Sequence, residues 1–208
     1  MARMKKYAVL MLLVGFGCGA KDNPAVGVDA PPSIDAAPPA FVGRWRQIPP
    51  SSLVPEAERA ILTIGADHTY VTVDPNTTTN ATWQLTADNQ LVIASPGSTS
   101  TAPYYLGNGN LMVEAGFPVG QVNGVVGTWK GDVISDGLHF ILTMVLNPDM
   151  TVAYSVAAPN GTGHFEGTWQ LDGTTVRLTG TLNGNPAILY AKVIPDVALG
   201  SYLYERLP

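Results

Sequence analysis

His164 and Glu166 stand two residues apart, a spacing that in an extended strand places both side chains on one face and permits proton exchange between them. On a solvated face the same two residues form an ordinary surface pair, and the polar neighbours Thr168 and Gln170 on that face favour this reading. The other two histidines add little. His68 falls in a turn, and His139 lies on the polar-leaning face of a different strand. No His-x-His, His-Glu-x-x-His or cysteine-based spacing occurs, so neither a metal site nor another cofactor is expected. No Gly-x-Ser-x-Gly element or phosphate-cradling glycine loop stands between a strand and a helix. These residues give no reason to expect an enzyme.

The remaining reactive group is a single thiol, Cys18. Arg3, Lys5 and Lys6 precede an uninterrupted apolar run from Tyr7 to Phe16, and Gly17 leads into the cysteine. A basic head, a short apolar run and a small residue at the exit compose a secretory signal. The run is shorter than the ~18–20 residues that span a bilayer. This arrangement resembles bacterial lipoproteins, whose signal is cut just before a cysteine that becomes lipid-modified. The resemblance covers the first 18 residues and departs from the family at Gly15 and Phe16, where Leu and then Ala or Ser are usual. It implies a signal over 1–17 and a membrane anchor at Cys18. Gly19 stands where Asp would favour inner-membrane retention, which points to the outer membrane. An ordinary signal cut after Ala20 would instead discard the thiol. Each acyl CH₂ buried in the membrane contributes about 0.8 kcal/mol, and two or more chains give stable anchoring. With no cysteine beyond position 18, the exported part has no disulfide and must rest on its core.

Residues 18–40 read as a tether. Gly19–Ala40 carries five prolines, many alanines and scattered aspartates, with no apolar period. Such a segment buries too little to offset the entropy of ordering it, and extended it would reach roughly 60–70 Å at about 3.1 Å per residue. It resembles the stalks of myxobacterial lipoproteins. Three of the chain's 11 basic residues lie in the signal and none of its 16 acidic ones do, so the remainder carries −8. That charge argues against nucleic acid and against anionic lipid surfaces as partners.

All four tryptophans fall into two pairs. Gly43-Arg44-Trp45 matches Gly127-Thr128-Trp129, and Thr82-Trp83-Gln84-Leu85 matches Thr168-Trp169-Gln170-Leu171. Between them, Leu62-x-Ile64-x-x-Asp67-x-Thr69 matches Met144-x-Leu146-x-x-Asp149-x-Thr151, and Tyr105 falls opposite Tyr190. The offsets stay between 82 and 86, which marks an internal duplication, with one copy over 41–120 and the other over 121–208.

Each copy reads as seven short β segments. In the first they fall near 42–49, 58–65, 69–74, 80–86, 90–95, 102–107 and 111–115. In the second they fall near 126–134, 139–147, 151–157, 164–171, 175–182, 187–193 and 201–207. No 3.6-residue apolar period is sustained beyond residue 20, and 55–60 could form one helical turn. Alternation puts Phe140, Leu142, Met144 and Leu146 on one face and Phe165, Gly167, Trp169 and Leu171 on another. Ile141 and Val145 make the reverse face of 139–147 partly apolar, so that face is expected to be covered, by the other copy for instance.

The order Gly-x-Trp, Asp-x-Thr hairpin, Thr-Trp-x-Leu strand and closing Tyr-containing hairpin resembles small bacterial lipocalin-like domains. The resemblance implies an all-β chain of two tandem antiparallel up-and-down meanders, each a small barrel, with fusion into one larger barrel as the alternative. It also implies an arginine of a late strand over the Gly-x-Trp indole, a role that Arg206 would take for Trp129. The family has Gly after the hairpin Asp. Here His68 and Met150 replace it, and since Met tolerates positive φ poorly the second hairpin is expected to use another turn. Trp45, Trp83, Trp129 and Trp169 sit on apolar rows and are expected in the core. Tyr202, Tyr204 and Arg206 share a strand face, either as a recognition strip or as the closure of a barrel. Asn-x-Thr at Asn76, Asn80 and Asn160 reads as turn chemistry.

Three functions follow as expectations. One is a non-catalytic, lipid-anchored module of the bacterial cell envelope that binds a protein or glycan. Another is a carrier of a small apolar ligand inside a barrel. The third, an enzyme, has no residues in its favour.

Overall fold

The computed structural model describes residues 39–49 and 59–208. Cys18, the signal over 1–17, nearly all of the 18–40 tether and most of the turn expected over 55–60 lie outside the described residues. Fifteen strands make up the rest, and none of the described residues is helical. The first eight are β1 (Gly43–Gln47), β2 (Ile61–Ile64), β3 (Thr69–Val73), β4 (Thr78–Leu85), β5 (Leu91–Ser95), β6 (Ser98–Ala102), β7 (Tyr104–Gly107) and β8 (Asn110–Asn123). There follow β9 (Val126–Ser135), β10 (Leu138–Leu146), β11 (Thr151–Ala158), β12 (Gly161–Asp172), β13 (Thr175–Leu182), β14 (Asn185–Ile194) and β15 (Ala198–Arg206).

Every pairing is antiparallel. Thirteen strands close a barrel in the order β1 to β6, then β9 to β15, with β15 returning to β1. β7 and β8 add to it: β8 pairs with β15 and with β9, and β7 pairs with β8. One continuous closed sheet is therefore found where two tandem meanders were the first expectation. Strand ends explain the difference. β1 does not close onto β8 of its own copy. It pairs with β15 through Trp45 and Arg206, while β9 pairs with β8 through Trp129 and Pro118.

The inward rows are those that alternation selects. One buried cluster gathers Trp129, Met144, Tyr154, Phe165, Trp169 and Leu178, and a second gathers Phe41, Trp45, Leu62, Tyr70, Trp83 and Tyr204. A small third cluster of Met112, Ala115, Ala198 and Leu203 comes from β8 and β15. The reverse face of β10 is not covered: Ile141 is 43% exposed. It points outward on the barrel wall, and among the described residues no other segment covers it. Leu171, at the end of its row, is exposed as well.

Local chemistry sets the turns. Asp67 accepts from the Thr69 amide and hydroxyl at 3.2 and 2.7 Å, and Asp149 accepts from those of Thr151 at 3.0 and 2.6 Å. These bonds stabilise the ionised carboxylates and hold both below the usual carboxylate range. His68 and Met150 have φ of 65° and 66°. The second hairpin thus uses the same left-handed turn as the first, contrary to the expectation from its methionine. Tertiary pairing of β10 with β11 on either side of the turn imposes the conformation. For a side chain other than glycine it costs roughly 1–2 kcal/mol. Met150 is half exposed and contributes little packing. Met150→Gly should therefore raise the unfolding free energy by about 1 kcal/mol, read as a higher denaturant midpoint at unchanged slope. A lower midpoint would refute the strain.

Candidate functional site

The four tryptophans are buried, each with its indole N–H satisfied by the backbone. Trp45 donates to Phe41 O at 2.8 Å and Trp129 to Val125 O at 3.0 Å. Trp83 donates to Gly65 O at 2.8 Å and Trp169 to Asn147 O at 3.0 Å. Such rings are core rather than stacking platforms for a ligand. Arg206 lies over an indole, but over that of Trp45, with its guanidinium carbon 5.2 Å from the ring centre, and not over Trp129. The exchanged ends account for this correction, since the last residues of β15 run beside β1. Arg206 also donates to Ala40 O and Val42 O, and Tyr204 is buried, so this strand end closes the barrel.

None of the histidines assembles a site. His164 and Glu166 are both exposed. His139 donates to Asp132 at 2.5 Å, with both side chains about half exposed. His68 Nδ1 donates to Trp83 O and its ring stacks near the Trp83 indole. Among the described residues no group of three His, Cys, Asp or Glu is placed to hold a metal.

The chemistry instead collects where β8 crosses β15 and β9. Glu114 lies within β8 with φ of 57°, the one non-glycine residue at positive φ inside a strand among the described residues. Its neighbours Val113 and Ala115 pair with Tyr202 and Gly200, which sets Glu114 across from Ser201. Glycines let the three strands approach: a Cβ on Gly200 would stand 2.8 Å from Glu114 O, and one on Gly116 3.2 Å from Lys130 O. Burial pushes the Glu114 carboxyl above its ordinary range, opposed by the Ser201 hydroxyl bonded to it. Burial, and then the Glu114 charge, raise the Tyr154 and Tyr202 phenols, the latter to about 12. Glu114, Ser201, Tyr154 and Trp129 line a cavity of about 40 Å³, completed by Leu142, Met144, Leu199 and the strand glycines.

A second buried polar group joins β14 to the chain after β1. Lys192, 4% exposed, donates to Thr175 Oγ1 at 2.7 Å and to Pro49 O at 2.5 Å. Burial lowers its ammonium pKa to about 8, partly offset by Asp172. So enclosed, it clamps the chain rather than serving as a nucleophile. Sequence reasoning passed over both Glu114 and Lys192. A single charged residue inside an apolar run, Leu111–Ala115 or Leu189–Ile194, was the signal available.

Because the folded pKa of Glu114 is raised, its carboxyl favours the fold below the unfolded value. That contribution fades as pH climbs from 4.5 through the folded value. In dilute Tris or acetate buffer, Glu114→Gln should therefore be more stable than the parent at pH 8 and should lose the downward slope above pH 4.5. Denaturant titrations at several pH values read both effects, and an unchanged slope in the variant would remove Glu114 as its source. Comparison of the chain with protein-family models, with curated proteins and with solved structures yields no match.

Proposed function

We propose that this chain is a non-catalytic binding module of a bacterial cell envelope, moored to the outer membrane through an acylated Cys18 and lifted from it by residues 18–40. It takes hold of a protein or glycan through its outer strand faces. The observation that carries this reading is the contrast between interior and exterior. Inside, aromatic and aliphatic rows of the described residues pack into two buried clusters, and the cavity beside Glu114 measures about 40 Å³. Ligand pockets run to roughly 300–1,000 Å³. Outside, Phe117 on β8, Ile134 on β9 and Ile141 on β10 are each about 40% exposed on neighbouring strands. Transport of a small apolar ligand is the second reading, and it would need a cavity larger than the one beside Glu114.

Within the closed sheet we read two lipocalin-like units, derived from copies over 41–120 and 121–208, that have exchanged their closing strands. In this reading β8 completes β9–β15, and β15 completes the sheet that begins at β1. The separate apolar clusters, the equivalent indole hydrogen bonds and the like turns at His68 and Met150 support it.

Cys18→Ser should shift the protein from the membrane to the soluble fraction on cell fractionation. Retention in the membrane would sink the anchor. The double variant Phe117→Asp and Ile141→Asp should unfold within about 1 kcal/mol of the parent, since surface changes are small, yet lose crosslinks formed from a photoreactive residue at position 134. Undiminished crosslinks would remove this face as the binding surface. Saturable uptake of an apolar dye, reversed by extracted lipid, would favour the carrier.

A further inference from the structure

The cavity at the crossing of β8, β9 and β15 brings together the oxygen-bearing side chains of Glu114, Ser201 and Tyr154. The Glu114 carboxyl has the Ser201 hydroxyl as its hydrogen-bond partner. Across from it, Tyr154 is 4% exposed, and its hydroxyl is buried without any hydrogen-bond partner. Trp129, Leu142, Met144 and Leu199 make up the apolar part of the lining. Lys130, the basic residue of the lining, is exposed.

We propose that this cavity binds a monovalent cation, an alkali ion or an ammonium group, held by the Glu114 carboxylate and the hydroxyls of Tyr154 and Ser201. Three considerations select this guest. A volume of about 40 Å³ is too small for an organic ligand and larger than one water needs. One carboxylate among neutral oxygens balances one positive charge, whereas calcium gathers about six to eight oxygens, several of them from carboxylates. A cation also supplies the Tyr154 oxygen with a partner and pairs a carboxylate that is otherwise expensive to bury. The Trp129 face adds attraction for a cation. Besides Glu114, the lining carries the hydroxyls of Ser201 on β15 and Tyr154 on β11, no second carboxylate, and the ammonium of Lys130 on β9, whose side chain is exposed.

Thermal unfolding of the full chain at pH 8 tests the site in sodium, potassium, ammonium or tetramethylammonium chloride at equal ionic strength. At least one of the three small cations should raise the midpoint by several degrees over tetramethylammonium, saturating with concentration. Glu114→Gln should abolish that shift, and Tyr154→Phe should weaken the dissociation constant at least tenfold. A shift confined to ammonium assigns an ammonium group, and one confined to sodium or potassium assigns an alkali ion. Equal midpoints of the parent in all four salts would overturn the site, as would a shift that persists in Glu114→Gln. Should Glu114→Gln not fold, the Tyr154→Phe comparison and ²³Na line broadening by the parent decide the same question. Lack of broadening together with unchanged affinity in Tyr154→Phe would overturn the proposal.

Discussion

Closure of the sheet depends on β15, a strand that serves three neighbours. Along one edge it pairs first with β14, at Lys192–Ile194, and then with β1, at Trp45–Gln47. Along the other it pairs with β8 from Gly116 to Asn110. An unpaired strand edge is a template for aggregation, and this arrangement covers the free edge of β1 and that of β14 with a single nine-residue strand. Because β15 passes from one apolar cluster towards the other, Leu199 belongs to the first and Tyr204 to the second. The two cores are thereby joined through shared backbone hydrogen bonds, which couples their stability.

β8 is the counterpart of β15. Its first half contributes Leu111 and Val113 to one core, and its second half lines up with β9. Changing partners midway requires a break in the pleat, and Glu114 supplies it with a left-handed backbone. That conformation is uncommon for glutamate, and its carboxyl is turned into the space between the strands. Strain and a partly buried carboxyl therefore coincide at one residue, a combination that structures keep where the surroundings over-determine it. Lys192 shows the same economy in milder form: a buried ammonium whose donors meet Thr175 and the chain leaving β1.

The outer surface follows different rules. Apolar side chains such as Phe117 and Ile141 stand exposed among Lys130, Asp132 and Thr143 on β8, β9 and β10.

Much of the architecture was legible before any coordinates. Period-two alternation is local, so fourteen of the fifteen strands (all but β6), the inward rows ending in Met144 and Leu146, and the Asp-x-Thr turns follow from neighbours along the chain. Non-local choices were hidden. Whether β1 meets β8 or β15 depends on competition between edges far apart in sequence, and nothing in Trp45 or Arg206 states which partner wins. The same pairing carried Arg206 to Trp45 instead of Trp129, while the pairing of β10 with its neighbours held Met150 in the left-handed turn and left Ile141 outside. Glu114 is the plainest case. Composition shows an acid in an apolar run, but its burial beside an unpartnered phenol exists only once β8, β9, β11 and β15 converge. Periodicity, turns and apolar content are written in the order of residues, because these act between neighbours close along the chain. Edge partners and the polar cavity were decided by the tertiary structure, because hydrogen bonds between strands carry no mark of which distant strand they will join.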